Sequence, residues 1–356
     1  MRSALDSVGG APVVVVCGAG GVGKTTVSAA LAIGLAQRGL RVCVVTVDPA
    51  RRLAGALGID TPSDVPVPVD GPWPGTLEAV QLHAASTFDA LVSLHAASEA
   101  QAEAIRRNPL YRSLATALGG TQEYMAMERL YELHHADHYD VVVVDTPPTR
   151  NALELLDAPE RLVRFLSHRV VRAMLAPTRL SLRAASAATS AFLKAISGVV
   201  GSELVDDAVS FFQAFAGMQQ GFAERAGDVQ RLLVDETTAY VLVTTPRPDA
   251  LEEASWFATH LGSRGVTPAA CVVNRCHPSF LASDLAALPT ATGVLGAQLD
   301  TLRRAEHAAR VDAAMVEGIA SLLGAAGMST VRVASGPARD VAALGTIAGE
   351  LAAGVP

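Results

Sequence analysis

The chain has 356 residues, of which half are hydrophobic and 18% are charged. This composition excludes disordered, collagen-like and coiled-coil proteins and leaves room for one large domain or two ordinary ones. The net charge of −7 argues against a general affinity for nucleic-acid phosphates, and four cysteines are too few for a disulfide framework. No apolar run reaches the ~18–20 residues of a membrane helix, and the first residues lack the apolar segment of a signal peptide. We therefore expect a cytoplasmic protein that binds no nucleic acid.

Apolar runs of strand length alternate along the chain with longer helical patterns, which is typical of βαβ units on a parallel sheet. The runs are rich in valine and apolar on both faces, as in strands that helices cover on each side. A first helix is predicted over 25–38, ending at Gly39. The sequence therefore predicts an α/β fold with a doubly wound, mainly parallel sheet. The predicted strands are 12–17, 41–47, 77–82, 140–145, 239–244, 269–273 and 330–334.

Two stretches depart from this alternation, because 86–137 and 161–234 are helical in pattern almost throughout. We expect a helical subdomain inserted beside the sheet, whereas the Pro- and Asp-rich piece 61–74 is predicted to be a surface loop. The sheet domain is expected over 11–85, 138–160 and 236–356. The helical subdomain is expected over 86–137 and 161–235.

The segment 18–25, GAGGVGKT, fits the pattern G-x-x-x-x-G-K-[ST] between an apolar strand and a helix. Glycines allow successive backbone N–H groups to form an anion-binding cradle at a helix N-terminus. Lys24, one of only two lysines among 28 basic residues, would reach the β- and γ-phosphates. The alternative is a glycine-rich turn before a helix. We predict a nucleoside triphosphate site whose binding residues are Gly18, Gly20, Gly21, Val22, Gly23, Lys24, Thr25 and Thr26.

Polar residues at the ends of three predicted strands are further candidates. Asp145 ends the run of four valines at 141–144, where an acid holds Mg²⁺ through water together with the Thr25 hydroxyl; the alternative is an Asp that caps a turn. Asp48 is a second candidate of the same type, and we assign catalytic roles to Lys24, Asp48 and Asp145. Asn274 follows the strand 269–273, and its amide can donate to and accept from a purine edge, although such a residue is also common in turns.

Four motifs together resemble the arsenite-pump and tail-anchored-protein-targeting ATPase (ArsA-like) family of P-loop NTPases with a deviant Walker A loop. They are CGAGGVGKTT at 17–26, VDPARRLAGALG at 47–58, VVVVDTPPTRNALELLDAPERL at 141–162 and VVNR at 272–275. The resemblance implies ATP and Mg²⁺ as cofactors and a dimer that couples the nucleotide state to a helical client-binding surface. It also implies that Asn274 and Arg275 lie in the adenine-binding loop and that Thr26 contacts the α-phosphate.

The chain departs from the family pattern at two catalytic positions. Ala19 stands where the family has a signature lysine that crosses the dimer interface, and Gly55 stands where it has the aspartate that positions the attacking water. Because stabilisation of transition-state charge is the main contribution to phosphoryl transfer, we expect slow hydrolysis by a homodimer, or pairing with a paralogue that keeps the lysine. Arg51 or Arg52 is an alternative source of the missing cation, and either arginine can equally be solvated.

The second switch also departs, with Thr149-Arg150-Asn151 in place of Thr-Gly-His. The family's arsenite-binding cysteines and its C-x-x-C zinc motif have no match, and Cys17 and Cys43 are expected to be buried core thiols. A cluster of histidines and an acid at 134–138 is either a metal site or, more simply, a polar loop.

The stretch 161–202 contains seven basic residues and no acid. It predicts either contact with an anionic membrane or a client helix, or a solvated helix face. Two other functions stay open: a nucleotide-binding scaffold subunit that does not hydrolyse ATP, and a partitioning or septum-positioning ATPase, which the lack of a basic amphipathic helix at 344–356 disfavours.

Overall fold

A computed structural model describes most of the chain. The chain folds into two compact units. The sheet unit comprises Met1–Gln81, Leu133–Leu153 and Val234–Pro356, and the helical unit comprises Leu82–Glu132 and Glu154–Leu233. The described residues are 2–47, 52–59, 63–109, 111, 121–147, 152–167, 202–215, 217–281, 289–323, 326–332 and 340–354.

The sheet unit contains an eight-stranded sheet with the order β3-β4-β2-β5-β1-β6-β7-β8. Every neighbouring pair is parallel except β3–β4. The central strands are buried along their whole length, because helices cover both faces. This confirms the predicted doubly wound, mainly parallel sheet. The strands are β1 (Val13–Gly18), β2 (Arg41–Thr46), β3 (Val67–Pro68), β4 (Thr76–Gln81), β5 (Val141–Asp145), β6 (Thr238–Thr244), β7 (Ala270–Cys276) and β8 (Gly327–Arg332).

Three strands differ from their prediction. Strand β7 continues to Cys276 instead of ending at residue 273, so Asn274 and Arg275 lie within the strand. The piece 61–74 was predicted to be entirely loop, but it contains the two-residue strand β3, which pairs antiparallel with β4 at the edge of the sheet, a position that tolerates Pro68. Strand β8 begins three residues earlier than predicted, because Gly327 N donates to Ala269 O and Met328 N donates to Arg2 O. The extension of β8 depends on partners that are distant in sequence, whereas β3 lies only 10 to 12 residues before its partners on β4.

Helices surround the sheet and form the second unit. Those that the structure describes are α1 (Ala4–Val8), α2 (Lys24–Gln37), α3 (Arg52–Leu57), α4 (Ala84–His95), α5 (Glu99–Arg107), α6 (Thr121–His134), α7 (Ala152–Ser167), α8 (Ser202–Phe215), α9 (Gln219–Val234), α10 (Pro248–Gly262), α11 (Gly293–Leu323) and α12 (Val341–Ala353). Helix α2 is buried on nearly all sides from Val27 to Ala36. It packs against α12, where Leu344, Ala348 and Leu351 are buried, so the C-terminal segment is a core helix.

The helical unit has its own core, which includes aromatic side chains from α4, α8 and α9 and the ring of Tyr111. The rings of Phe88 and Tyr111 stack with centroids 4.9 Å apart, and those of Phe215 and Phe222 lie at the same distance. Of the basic stretch 161–202, the structure describes only the first part and the final residue; Arg161 and Arg164 there are exposed, and the remaining basic residues lie outside the described residues. Within the described part of the chain, no helix combines the length and the apolarity that crossing a bilayer requires.

Candidate functional site

The glycine-rich loop lies where the sequence pattern predicts it, between the carboxyl end of β1 and the first turn of α2. Gly18 adopts φ +149°, and a Cβ at this position would lie 2.1 Å from Val243 O on the neighbouring strand β6. Gly23, the residue before α2, adopts φ +98°. Only glycine fits at position 18. At position 23, residues with a side chain rarely adopt the observed backbone conformation. The glycines therefore define the path of the loop.

Lys24 is held within this loop. The residue is only 6% exposed, and Nζ donates to Gly18 O and to Ala19 O, both at 2.9 Å. A single ammonium thus lies at the mouth of the loop, shielded from bulk solvent, in a position to attract anionic oxygen atoms.

Asp145 is the centre of a buried hydroxyl cluster at the end of β5. It is fully buried, and its carboxylate accepts from Thr25 Oγ1 at 2.8 Å and from Thr46 Oγ1 at 3.1 Å, while Ser28 Oγ lies 3.4 Å away. The structure therefore brings together the two residues predicted to bind metal, Thr25 and Asp145. Carboxylate and hydroxyl oxygens are the hard donors that Mg²⁺ prefers, so the donor set fits this ion.

Thr46 and Ser28 were not predicted from the sequence. Thr46 pairs directly with Asp145 in the β2–β5 register, and Ser28 lies one helical turn after Lys24, with its Oγ donating to Lys24 O at 2.9 Å. The i,i+4 spacing of Ser28 from Lys24 was a signal available in the sequence. The position of Thr46 depends on strand register, which could not be read from the sequence.

Asn274 and Arg275 reach the loop from β7. Asn274 Nδ2 donates to Val22 O at 2.8 Å, and its Oδ1 accepts from Arg275 N at 2.9 Å. Arg275 has φ +66° and lines a cleft of about 330 Å³, whose walls also include Ala19 and most residues of the segment 245–250. The adenine contact of Asn274 stays a prediction, because the contacts described for its amide are with the protein.

The segment after β7 is fixed to α11 by two buried acids that sequence reasoning did not single out. Asp312 accepts from His277 N at 2.7 Å and contacts His277 Nδ1 at 2.9 Å. Glu306 accepts from Ser279 Oγ at 2.8 Å and from Phe280 N at 3.0 Å, and these hydrogen bonds lower the pKa of its carboxyl. Acids on a helix are usually solvated, so the sequence offered no signal for either contact.

The positions that depart from the family pattern lie at different places. Ala19 lines the cleft, whereas Gly55 lies on α3 and is exposed, as is Arg52 at the start of that helix. Asp48 and Arg51 lie outside the described residues, as does the segment 149–151. Thr26 lies in the first turn of α2 and is half-buried.

Among the described residues, no group of three or more His, Cys, Asp or Glu side chains converges on a possible metal site. Cys17 and Cys43 are buried, as predicted. Burial raises the pKa of the Cys17 thiol to about 12, although the positive charge of Lys24 opposes this shift. The rings of His134 and His135 contact each other edge to face.

Comparisons with known proteins give a consistent assignment. A family model described as an anion-transporting ATPase matches residues 11–286. An uncharacterized protein of Streptomyces coelicolor is 30% identical over 76% of this chain and 63% of its own length. The ATPase GET3B of Arabidopsis thaliana is 27% identical over 73% of this chain and 63% of its own, and the ATPase ARSA1 of Chlamydomonas reinhardtii is 29% identical over 72% and 34%. The chain thus spans less than two thirds of the length of each of these relatives.

Proposed function

The chain belongs to the anion-transporting ATPase (ArsA-like) family, and we propose that it binds Mg-ATP at the loop 18–25 and hydrolyses it slowly. The observation that carries this proposal is the meeting of Lys24, Thr25 and Asp145 at the carboxyl edge of the sheet, with Thr25 Oγ1 only 2.8 Å from the carboxylate. Open α/β sheets bind their ligands at this edge.

Each residue of the site has a proposed role. Lys24 binds the β- and γ-phosphates, Thr25 and Asp145 hold Mg²⁺, and Thr26 contacts the α-phosphate. When bound, the ion neutralises charge that develops on the phosphate oxygens. Arg275 lines the cleft beside the loop, and we assign contacts with the nucleoside to Arg275 and to its neighbour Asn274. We also propose Asp48 as a catalytic acid, on the sequence pattern alone.

We further propose that the chain works in the cytoplasm as a homodimer, or as a heterodimer with a paralogue that carries the signature lysine. Its nucleotide state would control binding of a client or a membrane partner through 161–202. The basis is the charge of that stretch, with seven basic residues and no acid. A subunit that binds ATP without hydrolysing it is the second candidate, favoured by the residues at positions 19 and 55.

Calorimetry with Mg-ATP and a phosphate-release assay on the same preparation test the proposal. We expect saturable binding together with slow release of phosphate. Binding with no release would support the scaffold subunit. The absence of any heat on titration would contradict both.

Replacement of Asp145 by asparagine is expected to remove the Mg²⁺-dependent part of nucleotide binding and to weaken Mg-ATP binding by about tenfold or more. The reason is that the amide keeps the shape of the side chain but not the negative charge that the ion needs. Calorimetry with Mg²⁺ and with a chelator measures this part directly.

Asp140→Asn is the matched control. Asp140 precedes the same strand but forms an exposed ion pair with Arg41, in which Asp140 Oδ1 lies 2.7 Å from Arg41 Nη2. Its substitution should leave the Mg²⁺ dependence unchanged. An Asp145→Asn variant that still folds and responds to Mg²⁺ like the wild type would rule out Asp145 as the metal-binding acid.

The double variant Ala19→Lys, Gly55→Asp is expected to raise turnover about tenfold or more, because it restores a cation and a water-positioning acid to a site that lacks both. Turnover should also rise with protein concentration, since the family lysine acts across a dimer interface. Ala19→Met with Gly55→Asn has similar side-chain volumes without the charges and serves as the control. Unchanged turnover, with ATP binding intact, would show that the two positions do not limit hydrolysis.

A further inference from the structure

Strand β7 contains a bulge where it passes the phosphate-binding loop. Asn274 pairs with Val331 and Cys276 pairs with Arg332, which leaves Arg275 as the extra residue between them. Arg275 adopts φ +66°, a conformation that residues other than glycine rarely adopt. Bulges next to functional sites redirect side chains, and this one directs the Asn274 side chain toward the loop.

The amide of Asn274 is bonded at both of its polar atoms. The residue is 7% exposed. Its Nδ2 donates to Val22 O at 2.8 Å and its Oδ1 accepts from Arg275 N at 2.9 Å. One side chain thus connects the middle of the phosphate-binding loop with the backbone of the bulge.

Gly23 adds an independent observation on the same contact. A Cβ at this position would lie 2.2 Å from Asn274 Nδ2. The loop therefore comes so close to the amide that only glycine leaves room for it. The fit of Gly23 against Asn274 fixes the loop immediately before the first turn of α2, where the N–H groups for phosphate are located.

We propose that Asn274 is a positioning residue that holds the phosphate-binding loop in its binding conformation, and that it does so for any triphosphate irrespective of the base. The proposal rests on the function proposed above and specifies how that site is organised. An amide has two N–H groups and two acceptor lone pairs, so this role is compatible with an additional contact to adenine.

Binding of Mg-ATP and of Mg-tripolyphosphate, which has no base, distinguishes the two roles. For Asn274→Ala we expect both ligands to bind about tenfold more weakly, by similar factors, because the loop loses a buried hydrogen bond. Asn274→Asp keeps the side-chain volume but presents an oxygen to Val22 O. It should weaken both ligands at least as much, and it provides the test if the alanine variant does not fold.

Ser329→Ala is the matched control. Ser329 lies on the neighbouring strand β8 and is fully buried. Its hydroxyl also makes two hydrogen bonds, accepting from Ala4 N and donating to Leu351 O, both at 2.9 Å. Its substitution removes as many contacts without touching the loop, so both ligands should bind as in the wild type.

Hydrogen exchange in the absence of nucleotide gives a second measurement that does not depend on ligand affinity. We expect the amides of 20–24 to exchange about tenfold faster in Asn274→Ala than in Ser329→Ala. Equal exchange rates, or weaker binding of ATP with unchanged binding of tripolyphosphate, would overturn the positioning role. A wild-type protein that binds neither ligand and does not hydrolyse ATP would instead overturn the function proposed for the site.

Discussion

Replacement of Lys24 by alanine is expected to weaken Mg-ATP binding by about 100-fold and to lower turnover by about 1,000-fold. Lys24 is 6% exposed, and its ammonium donates to two neutral carbonyl oxygens, Gly18 O and Ala19 O. Phosphate oxygens carry negative charge, which adds a Coulomb attraction that neutral carbonyl oxygens lack, so they compete well for the same donor. Calorimetry and steady-state phosphate release measure the two losses separately.

Two further variants define what the lysine contributes. Lys24→Arg keeps the charge but replaces a compact ammonium by a planar guanidinium, so binding should fall less than in the alanine variant while turnover stays low. Arg38→Ala removes the same charge at the other end of α2, about 20 Å away, where Arg38 pairs with Asp6 at 2.6 Å. It should leave both quantities unchanged. Equal turnover of Lys24→Ala and the wild type would contradict the proposed site.

The central strands and the phosphate-binding loop were predictable from the sequence because their signals are local. The run of four valines before Asp145 is buried along β5, and strands covered on both faces are continuously apolar. The loop 18–25 carries its glycines at fixed spacing, and at Gly18 that choice is explained by the close approach of Val243 O.

The remaining features depend on contacts between distant parts of the chain. Thr46 reaches Asp145 through strand register, and Asn274 reaches Val22 O across 252 residues of sequence. Helix α11 was not predicted, although two acids on it anchor the segment after β7. No local pattern specifies which side chains meet in these cases.

Glu128 and Arg225 form a buried ion pair in the helical unit that no sequence pattern indicated, because 97 residues separate them. Glu128 is 4% exposed, its Oε1 lies 2.7 Å from Arg225 Nε, and its Oε2 accepts from Tyr124 OH at 3.3 Å. The guanidinium also lies 3.8 Å from the centroid of the Tyr131 ring. Desolvation raises the pKa of the Glu128 carboxyl, although the hydrogen bond and the charge of Arg225 act to lower it.

Arg225→Ala is therefore expected to lower the free energy of unfolding by about 3 kcal/mol at neutral pH, since it leaves a buried carboxylate without its cation. Urea unfolding followed by circular dichroism measures the change. Circular dichroism is chosen over tryptophan fluorescence because both tryptophans of the chain, Trp73 and Trp256, lie in the sheet unit. Arg107→Ala is the control. It breaks a pair with Glu103 whose side chains are 79% and 50% exposed, and such pairs contribute less than about 1 kcal/mol.

The pH dependence separates a lost charge partner from lost packing. Without Arg225 the pKa of Glu128 rises further above its unfolded value, so the folded state binds the proton more tightly than the unfolded state. The stability deficit of Arg225→Ala should therefore shrink as the pH falls from ~8 to ~5, a pH window that lies above the ordinary pKa of a glutamate side chain. Adding Glu128→Gln to Arg225→Ala should recover part of the loss at neutral pH, because a neutral amide replaces the unpaired carboxylate. A deficit that is independent of pH and unchanged by the second substitution would mean that Arg225 stabilises the unit through its contact with Tyr131 alone.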